Sequence, residues 1–440
     1  MLHRAFFNVQ RLICLAVLCP IFAHAGGSNF QIVGPITNGA VFWTNAFTSG
    51  VCTLETASQL PRGVNGAGWT PLQNYFTTNS AGSGSFWPVA GDDFYRLRAV
   101  DISPSNPYSF TNFVQSFGLL HTIAGNGLDS GQDNVNFWSP SFEGMYATNV
   151  TLSRPHFAMS DNASNIYIVD KNSDSVLKVT TDGRLHTVAG THVAGNGTDA
   201  STPGTEVAMN VPNGLWVRGD GTVYILDTGN GKVRRLSSNG MMVTLFTDSN
   251  GINGGRGLWV KDDETLIYYA SENDLKQWTP SGGTSTLNSQ FNNLGNIILS
   301  GGTIIATDRD DNTVWMVNTN SGKRTLLFGN GKTNPVVDDT LAATNSLNDV
   351  RGVWQPPSGG YFLADDYSAQ FIYVDTAGIL HLFVNGQNDS HAGDGQWFYA
   401  PSKYLIGQMR SITMDKQGNL ILVENDLGYV RRIDFQRLKP

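Results

Sequence analysis

Short runs of alternating apolar and polar residues, separated by Gly-containing turns, fill most of the chain. Residues 212–247 are the clearest example, with four such runs at 214–217, 222–227, 232–236 and 243–246. A period of two residues is typical of a strand with one buried face, and the intervening Asp-Gly and Asn-Gly turns are typical of hairpins. The pattern therefore predicts four short antiparallel strands in this segment.

This four-strand pattern recurs along the chain, and an acidic residue at the end of each second strand marks its register. The mark stands at Asp170, Asp227, Asp308, Asp365 and Glu424, and Ala270 takes its place in one repeat. Six repeats result, and the segments between them differ in length. Unequal spacing favours a ring of sheets with variable loops over a regular solenoid.

The two ends of the repeat region complement each other. The last repeat, residues 410–434, lacks its outer strand, whereas residues 120–125 (LHTIAG) match the outer strand of the first repeat at 185–190 (LHTVAG). An N-terminal strand that completes the last sheet would close the ring and remove two exposed sheet edges. The sequence therefore predicts an all-β chain whose main domain, residues 118–435, is a six-bladed β-propeller closed by an N-terminal strand.

Three segments resemble NHL repeats of the secreted bacterial kind: YILDTGNGKVRRL at 224–236, LHTVAG at 185–190, and the loop that contains Ala392-Gly393-Asp394-Gly395. The resemblance extends over about residues 118–435 and implies the propeller fold. It constrains function much less, because propellers of this kind include binding scaffolds and related six-bladed propellers include amidating lyases and calcium-dependent lactonases.

The first 25 residues have the pattern of a cleaved secretory signal. Arg4 and Arg11 precede an apolar run at 12–22, and Ala23-His24-Ala25 supplies the small residues of a cleavage site. We therefore expect a chain that is secreted, extracellular or periplasmic, after cleavage near Ala25. No later run reaches the roughly 18 apolar residues of a membrane-spanning helix, so no transmembrane segment is expected in the mature chain.

Residues 28–103 lack the repeat pattern and contain five short alternating runs, which predict a small β domain. The run FYRLRAVD at 94–101 resembles the penultimate strand of a fibronectin type III-like sandwich, where an aromatic residue packs at a strand corner. Pro104 and Pro107 discourage regular structure, so residues 104–117 are expected to form the linker to the propeller.

Composition narrows the choice of partners. Charged residues make up only 15% of the chain and the formal net charge is −8, which argues against a nucleic-acid partner held by bulk charge. Signal cleavage would leave Cys52 as the single cysteine, so no internal disulfide is expected.

Although the net charge of the chain is negative, one equivalent position of the repeats is often occupied by a cationic side chain. Counting back from each acidic mark to the start of the first strand gives six positions: His156, Asn213, Arg256, Leu294, Arg351 and Arg410. First strands are innermost in a propeller, so we expect these residues around one mouth of the central tunnel. Guanidinium groups bind carboxylate, sulfate or phosphate through paired hydrogen bonds, which predicts an anion site. The alternative is that each arginine bonds carbonyl groups of the neighbouring blade.

Other chemistry-bearing residues have structural explanations. His121, His186 and His381 share one register on three different blades, so they cannot converge on one ion. Each acidic mark except Glu424 is an aspartate followed by a turn, and we expect the marks to accept backbone N–H groups there rather than to bind calcium. Neither a zinc nor a calcium site is indicated, no cofactor is expected, and no catalytic residue stands out.

Two functions fit these features. The first is a secreted binding or scaffold protein whose partner, a protein or a glycan, contacts the loops at 126–154, 191–211 and 331–349, with anionic groups held in a cationic central funnel. The second is a metal-dependent lyase or lactone hydrolase with its site in the propeller tunnel. An enzyme of that kind needs several converging metal ligands, and since none is evident the sequence favours binding.

Overall fold

The computed structural model describes residues 30–33, 39–59, 68–87, 94–128, 134–387, 390–399 and 405–436. The expected signal segment, residues 1–25, lies outside the described residues. The chain divides into two compact units, unit 1 with Met1–Gly118 and Phe435–Pro440, and unit 2 with Leu119–Asp434. The expectation of a nearly all-β chain is confirmed. Over the described ranges, no helix combines the length and the apolar character needed to cross a membrane.

Unit 1 contains two three-stranded antiparallel sheets, with the strand orders β1-β2-β5 and β4-β3-β6. Its elements are β1 (Gln31–Ile32), β2 (Ala40–Thr44), β3 (Gly50–Ala57), β4 (Thr70–Thr77), β5 (Gly82–Ser85), β6 (Phe94–Asp101) and α1 (Ser109–Val114). Strands β2 to β6 overlap the five alternating runs of residues 28–103. Val41, Trp43, Leu54 and Tyr95 pack together in the core of the unit.

Helix α1 lies within the range expected to be a linker. It follows Pro104 and Pro107 rather than containing them, so neither proline interrupts its hydrogen bonds. Phe113 is buried, and its ring packs edge-on against that of Phe117 at 5.3 Å between centroids. Phe435 returns to this unit near the end of the chain and stacks on Phe76 at 4.3 Å.

In its described residues, unit 2 contains six antiparallel sheets. Its strands are β7 (Leu119–Ala124), β8 (Pro155–Ser160), β9 (Ile166–Asp170), β10 (Ser175–Val179), β11 (Leu185–Ala189), β12 (Thr202–Pro203), β13 (Pro212–Val217), β14 (Val223–Asp227), β15 (Lys232–Leu236), β16 (Met241–Thr247), β17 (Leu258–Val260), β18 (Ile267–Ser271), β19 (Asp274–Thr279), β20 (Gly283–Asn288), β21 (Leu294–Ser300), β22 (Thr303–Asp308), β23 (Thr313–Asn318), β24 (Arg324–Phe328), β25 (Thr340–Leu341), β26 (Val350–Trp354), β27 (Tyr361–Asp365), β28 (Gln370–Val374), β29 (Ile379–Asn385), β30 (Gln396–Trp397), β31 (Ser411–Met414), β32 (Leu420–Glu424) and β33 (Tyr429–Ile433). Short 3-10 turns lie at Pro140–Phe142, Ala147–Asn149, Lys171–Ser173, Gly204–Glu206, Thr228–Asn230 and Ala342–Thr344.

We number the sheets 1 to 6 in chain order. Sheet 1 holds β8–β11, sheet 2 β12–β16, sheet 3 β17–β20, sheet 4 β21–β24, sheet 5 β25–β29, and sheet 6 β7 with β30–β33. The first strands of the sheets are β8, β13, β17, β21, β26 and β31; each contacts the next in this order, and β31 contacts β8. Antiparallel sheets related in this way are consistent with a β-propeller. Apolar side chains of neighbouring sheets pack between them, as Val169 of sheet 1 does with Ile225 of sheet 2.

Strand β7 joins the beginning of unit 2 to its end. It pairs antiparallel with β33, with Leu120 opposite Ile433 and Ala124 opposite Val430. Leu120 and Ala124 are fully buried. The strand therefore contributes apolar contacts as well as backbone hydrogen bonds to sheet 6.

Three sheets carry a two-residue strand at their outer edge that the sequence pattern did not predict: β12, β25 and β30. These strands belong to the segments between sheets and pair with β16, β29 and β7. Such pairing covers part of an otherwise open row of backbone N–H and C=O groups.

Candidate functional site

Local irregularities in the first strands position several of the predicted site residues. In sheets 1, 2 and 5 the pairing of the first strand with the second shifts by one residue, and the extra residue is His156, Asn213 or Arg351. A bulge of this kind leaves one residue outside the ladder and re-aims its side chain. The same register position in three repeats is therefore freed from the regular sheet.

His156 and Asn213 lie in adjacent sheets and contact each other. The imidazole Nδ1 is hydrogen-bonded to the side-chain oxygen of Asn213, whose amide donates to the Gly254 carbonyl at 3.2 Å. His156 is buried, and its Nε2 has no hydrogen-bond partner among the described residues. Burial, together with the charges of Arg256 and Lys171, holds the pKa of His156 well below its usual value. A neutral imidazole that donates from Nδ1 presents Nε2 as an acceptor.

Arg351 and Arg410 lie on either side of the carboxylate of Asp366, with Nε atoms 3.0 and 3.7 Å from its two oxygens. Arg351 also pairs with Asp349, and Nη2 of Arg410 lies 3.0 Å from Asp426. Asp366 is fully buried. Burial raises its pKa to about 7 with help from Asp349 and Asp426, while the charge of Arg351 opposes the increase.

Arg256 is the least satisfied cation of this region. Its Nε and Nη1 are buried and have no hydrogen-bond partner in the described part of the chain. Its guanidinium interacts unfavourably with Arg309 and Arg351, and favourably with Asp349 and Asp366. Burial and the repulsion from the two arginines lower the pKa of Arg256 well below its usual value.

The structure adds three cations that sequence analysis missed. Arg154 pairs with Asp426 at 3.2 Å, and Arg309 pairs with Asp349 at 3.0 Å. Lys171 interacts electrostatically with Arg154, and burial followed by this repulsion lowers the pKa of Lys171.

A second and a third register position could have identified these residues. Lys171, Arg309 and Asp366 each follow directly after an acidic mark, and Arg154 and Asp349 each stand two residues before a predicted site residue. Positions beside a bulge at the start of a first strand and at the end of a second strand meet at the same edge of a sheet.

We call this group the arginine cluster: Arg154, His156, Lys171, Asn213, Arg256, Arg309, Asp349, Arg351, Asp366, Arg410 and Asp426. Its ion pairs join neighbouring sheets, since Arg154 of sheet 1 meets Asp426 of sheet 6 and Arg410 of sheet 6 meets Asp366 of sheet 5. Six cations face three carboxylates, so the cluster is cationic within a chain of net charge −8. In the described part of the chain, the side chains of Arg351 and Arg410 pair with carboxylates, whereas the alternative expectation was pairing with backbone carbonyls.

An open cleft of about 550 Å³ lies beside the cluster, between sheets 2 and 3. Three loop segments line it, with residues 210–211, 228–231, 248–249 and 251–254. Four of these positions are glycines, and the side chains of the others are amides, hydroxyls, two aliphatic groups and the carboxylate of Asp248. Its wall is continuous with the cluster, because the Gly254 carbonyl accepts the hydrogen bond from Asn213. On the other side of the cluster the exposed ring of Tyr367 lies 5.6 Å from the guanidinium of Arg351.

The acidic marks fix the loops that lead into the first strands. Asp170 accepts the N–H of Ser153 at 2.9 Å, and Asp365 accepts that of Asn348 at 2.7 Å. The backbone donors thus come from upstream of the first strand, whereas we expected them from the following turn, which supplies the hydroxyl of Ser173 to Asp170. Burial raises the pKa of Asp170 to about 6 and that of Asp365 to about 7.

The three histidines of shared register each contact a different carboxylate. His121 bonds Asp434, His186 bonds Glu143 and His381 bonds Asp339, each at 2.8 Å. Among the described residues, one group of three side chains has its potential ligand atoms within 4.8 Å of one another: Asp338, Asp339 and His381. Asp338 accepts the N–H of Leu382 at 2.9 Å, so this group ties the preceding loop to β29.

No family model matches this chain, and no curated protein matches it. Solved structures do. A protein of unknown function from Bacteroides thetaiotaomicron superposes with a TM-score of 0.58 at 12% identity, over 92% of this chain and 98% of that chain. An auxiliary nutrient binding protein from Bacteroides ovatus has a TM-score of 0.52 at 12% identity, over 90% and 93% of the two chains. One from Bacteroides thetaiotaomicron has a TM-score of 0.52 at 10% identity, over 91% and 94%. At these identities the similarity establishes a shared fold.

Proposed function

We propose that this protein is a secreted binding protein that holds an anionic group of its partner at the arginine cluster. In this proposal residues 118–435 form a six-bladed, NHL-type β-propeller closed by β7. Residues 28–103 form a small fibronectin type III-like domain before it. The cyclic contacts of the six first strands and the pairing of β7 with β33 support the closed ring. The signal pattern of residues 1–25 supports secretion.

Buried hydrogen-bond donors without partners are the observation that carries the proposal. They are Nε and Nη1 of Arg256, Nη1 of Arg351 and Nε of Arg410, in the described part of the chain. A buried donor left without an acceptor costs about 1–3 kcal/mol. The oxygens of a carboxylate, sulfate or phosphate would supply acceptors to several of these groups at once.

The charge balance of the cluster supports the same conclusion. Arg256 is buried and is repelled by Arg309 and Arg351, while Asp349 and Asp366 attract it, and burial together with the repulsion outweighs that attraction. A bound anion would offset this repulsion, and electrostatic attraction would guide it to a cationic site on an acidic surface.

The fold comparison supports binding as the general activity, since two solved proteins that share the fold are named auxiliary nutrient binding proteins. The partner, a protein or a glycan, would contact the loops at 126–154, 191–211 and 331–349. The alternative, a metal-dependent lyase or lactone hydrolase, needs converging ligands. The arginine cluster supplies one histidine, and each of its carboxylates is paired with an arginine.

Replacing Arg256 with Met tests the proposal directly. Titration calorimetry of the signal-cleaved protein with citrate and with sulfate, at low ionic strength, should show binding that weakens as salt is added. Arg256→Met should weaken it at least tenfold, because hydrogen bonds to charged groups are worth about 1.5–3 kcal/mol.

Lys261→Met is the matched control. Lys261 follows β17, at the opposite end from Arg256, and its exposed ammonium pairs with Asp263 at 2.8 Å. Lys261→Met removes the same formal charge from the same sheet but lies outside the arginine cluster. The control should therefore bind citrate and sulfate as tightly as the parent does. Equal affinities for the two variants, or no binding of either anion by the parent, would refute the proposed function.

A further inference from the structure

We propose that the ligand is an acidic oligosaccharide: its anionic group binds the arginine cluster, and the hydroxyls of the adjoining sugar occupy the cleft between sheets 2 and 3. This inference rests on the proposed function and specifies its ligand. It depends on the chemistry of three features in and around the arginine cluster, which are the unpartnered nitrogen of His156, the neutral lining of the cleft and the exposed ring of Tyr367.

The unpartnered nitrogen of His156 favours a hydroxyl group of the ligand over a second anionic group. The Asn213 amide donates to Gly254, so the Asn213 oxygen accepts and the imidazole Nδ1 must donate. The unpartnered Nε2 of this buried, neutral ring is then an acceptor, in a cluster whose unsatisfied arginine nitrogens are donors. A ligand that presents both oxyanion acceptors and a hydroxyl donor satisfies the two kinds of group together.

The cleft itself is polar but nearly neutral. Its acidic residue, Asp248, already accepts hydrogen bonds from the Tyr269 hydroxyl and the Lys276 ammonium, both at 2.8 Å. The other lining side chains are amides, hydroxyls, glycines and two aliphatic groups. Neutral polar groups in a cleft continuous with a cationic cluster suit a chain of sugars in which one unit carries charge and its neighbour carries hydroxyls.

Glycines keep the cleft open next to the cluster. Gly251 and Gly254 have φ angles of 76° and 56°, and a Cβ built on either one would meet nothing within 4 Å. A side chain at either position would therefore project into free space on the cleft side. Asparagine tolerates positive φ better than other residues with a Cβ, so Asn is the substitution that adds bulk with least backbone strain.

Tyr367 offers a place for a sugar face. Its ring is 55% exposed and lies against Arg351. An exposed aromatic ring next to a guanidinium can stack on the apolar face of a pyranose while the guanidinium binds its acidic substituent.

The test uses the full signal-cleaved protein and titration calorimetry with defined sugars. The probes are trigalacturonate, a sulfated carrageenan tetrasaccharide, neutral galactotriose, and citrate as the small anion. At least one acidic oligosaccharide should bind ten times or more tightly than both galactotriose and citrate, and the one that does identifies carboxylate or sulfate as the anionic group. If neither exceeds citrate, the inference is wrong and the ligand is a small anion.

Gly251→Asn, with Gly254→Asn as a second variant, should abolish the tenfold preference for the oligosaccharide, and Gly251→Asn should leave citrate affinity unchanged. Gly240→Asn is the matched control, since Gly240 also has a positive φ of 84° and open space at its Cβ, but lies in the β15–β16 turn. Retained citrate binding shows that each variant is folded. Unchanged oligosaccharide affinity in both cleft variants would overturn the inference alone, whereas loss of citrate binding in Arg256→Met with no such loss in the control still supports the proposed function.

Discussion

Two arginines in adjacent sheets show how differently the same side chain can be used. Arg234, on β15 of sheet 2, is fully buried, and its Nε donates to Asp227 and its Nη1 to Asp199, both at 2.7 Å. Its Nη2 bonds Asn196 at 3.4 Å, so every guanidinium nitrogen has a partner. Arg256 of sheet 3 has two buried nitrogens without one among the described residues. Arg234 therefore has all its hydrogen-bond partners within this chain, whereas Arg256 retains two donors that could bind a ligand.

The network around Arg234 recurs in sheet 6. Arg431 lies at the corresponding position of β33, and its guanidinium meets the acidic mark Glu424 at 3.3 Å and Asp394 at 2.6 Å. Asp199 and Asp394 belong to Gly-rich loops outside the regular strands. In both sheets a buried arginine thus ties a loop to the second strand, which is a structural function. Among the described residues Arg431 has one buried nitrogen without a hydrogen-bond partner, Nε, whereas Arg256 has two, Nε and Nη1.

The arginine cluster combines residues at strand ends of all six sheets, so the difference between Arg256 and Arg234 depends on the ring closure by β7 that we propose. Replacing Leu119–Ala124 with six Gly and Ser residues should abolish cooperative unfolding of unit 2. Loss of buried Leu120 alone is worth about 2–5 kcal/mol, out of a total stability of about 5–15 kcal/mol. Calorimetric melting would detect it.

The same replacement of the largely exposed outer strand Gly283–Asn288 in sheet 3 is the control, and it should lower the melting temperature much less. Equal melting temperatures for the two replacements would contradict ring closure by β7.

Substituting Met at each arginine sharpens the comparison. Arg234→Met should destabilise the protein by about 3–5 kcal/mol, because Asp227 would remain buried without its counter-ion. Arg256→Met should leave the melting temperature unchanged or raise it, since it removes a buried cation that Arg309 and Arg351 repel. Thermal and urea unfolding measure both. A comparable loss of stability in the two variants would show that Arg256 is also structural.

Sequence reasoning was most effective where one residue position repeats. Period-two alternation and the acidic marks located the main strands of unit 2, because hairpin geometry ties pattern to structure within a few residues. The sequence pattern did not predict strands β12, β25 and β30. Each has only two residues and forms because a loop lies against the edge of a sheet in the folded chain. No local pattern encodes such a contact.

For the candidate site, counting back from each acidic mark identified one position per repeat, at the start of the first strand. It did not identify the residues that contact these positions. The structure places His156 beside Asn213, and Arg351 and Arg410 beside Asp366. Sequence analysis did not single out Asp366, because its burial between two arginines from different repeats depends on how sheets 5 and 6 pack. Contacts across sheets, unlike strand registers, require the assembled fold.

The ionisation of Asp366 is expected to have the smallest effect on anion affinity. It tests whether a carboxylate of the arginine cluster modulates anion binding. With a pKa of about 7, this carboxyl loses its proton as pH rises from 6 to 8 and adds a negative charge beside Arg351 and Arg410. Sulfate keeps a constant charge over this range, so its affinity should fall by about fivefold, or roughly 1 kcal/mol. Asp349, Asp426 and Arg256 also face this carboxyl.

Asp366→Asn should bind sulfate more tightly than the parent at pH 8 and show a flatter pH profile. Asp365, whose pKa is also about 7, accounts for any residual slope. The same variant should gain stability at pH 8, since a carboxyl whose pKa is raised in the folded state destabilises the fold increasingly as pH rises above its ordinary value of 3.8, and fully above the raised value of about 7. Arg234 lies outside the arginine cluster and pairs with Asp227 and Asp199, so Arg234→Lys is expected to leave the pH profile of binding as it is in the parent. If the pH profile of Asp366→Asn equals that of the parent, Asp366 does not affect anion binding. Anion affinity would then depend on the arginines of the cluster alone.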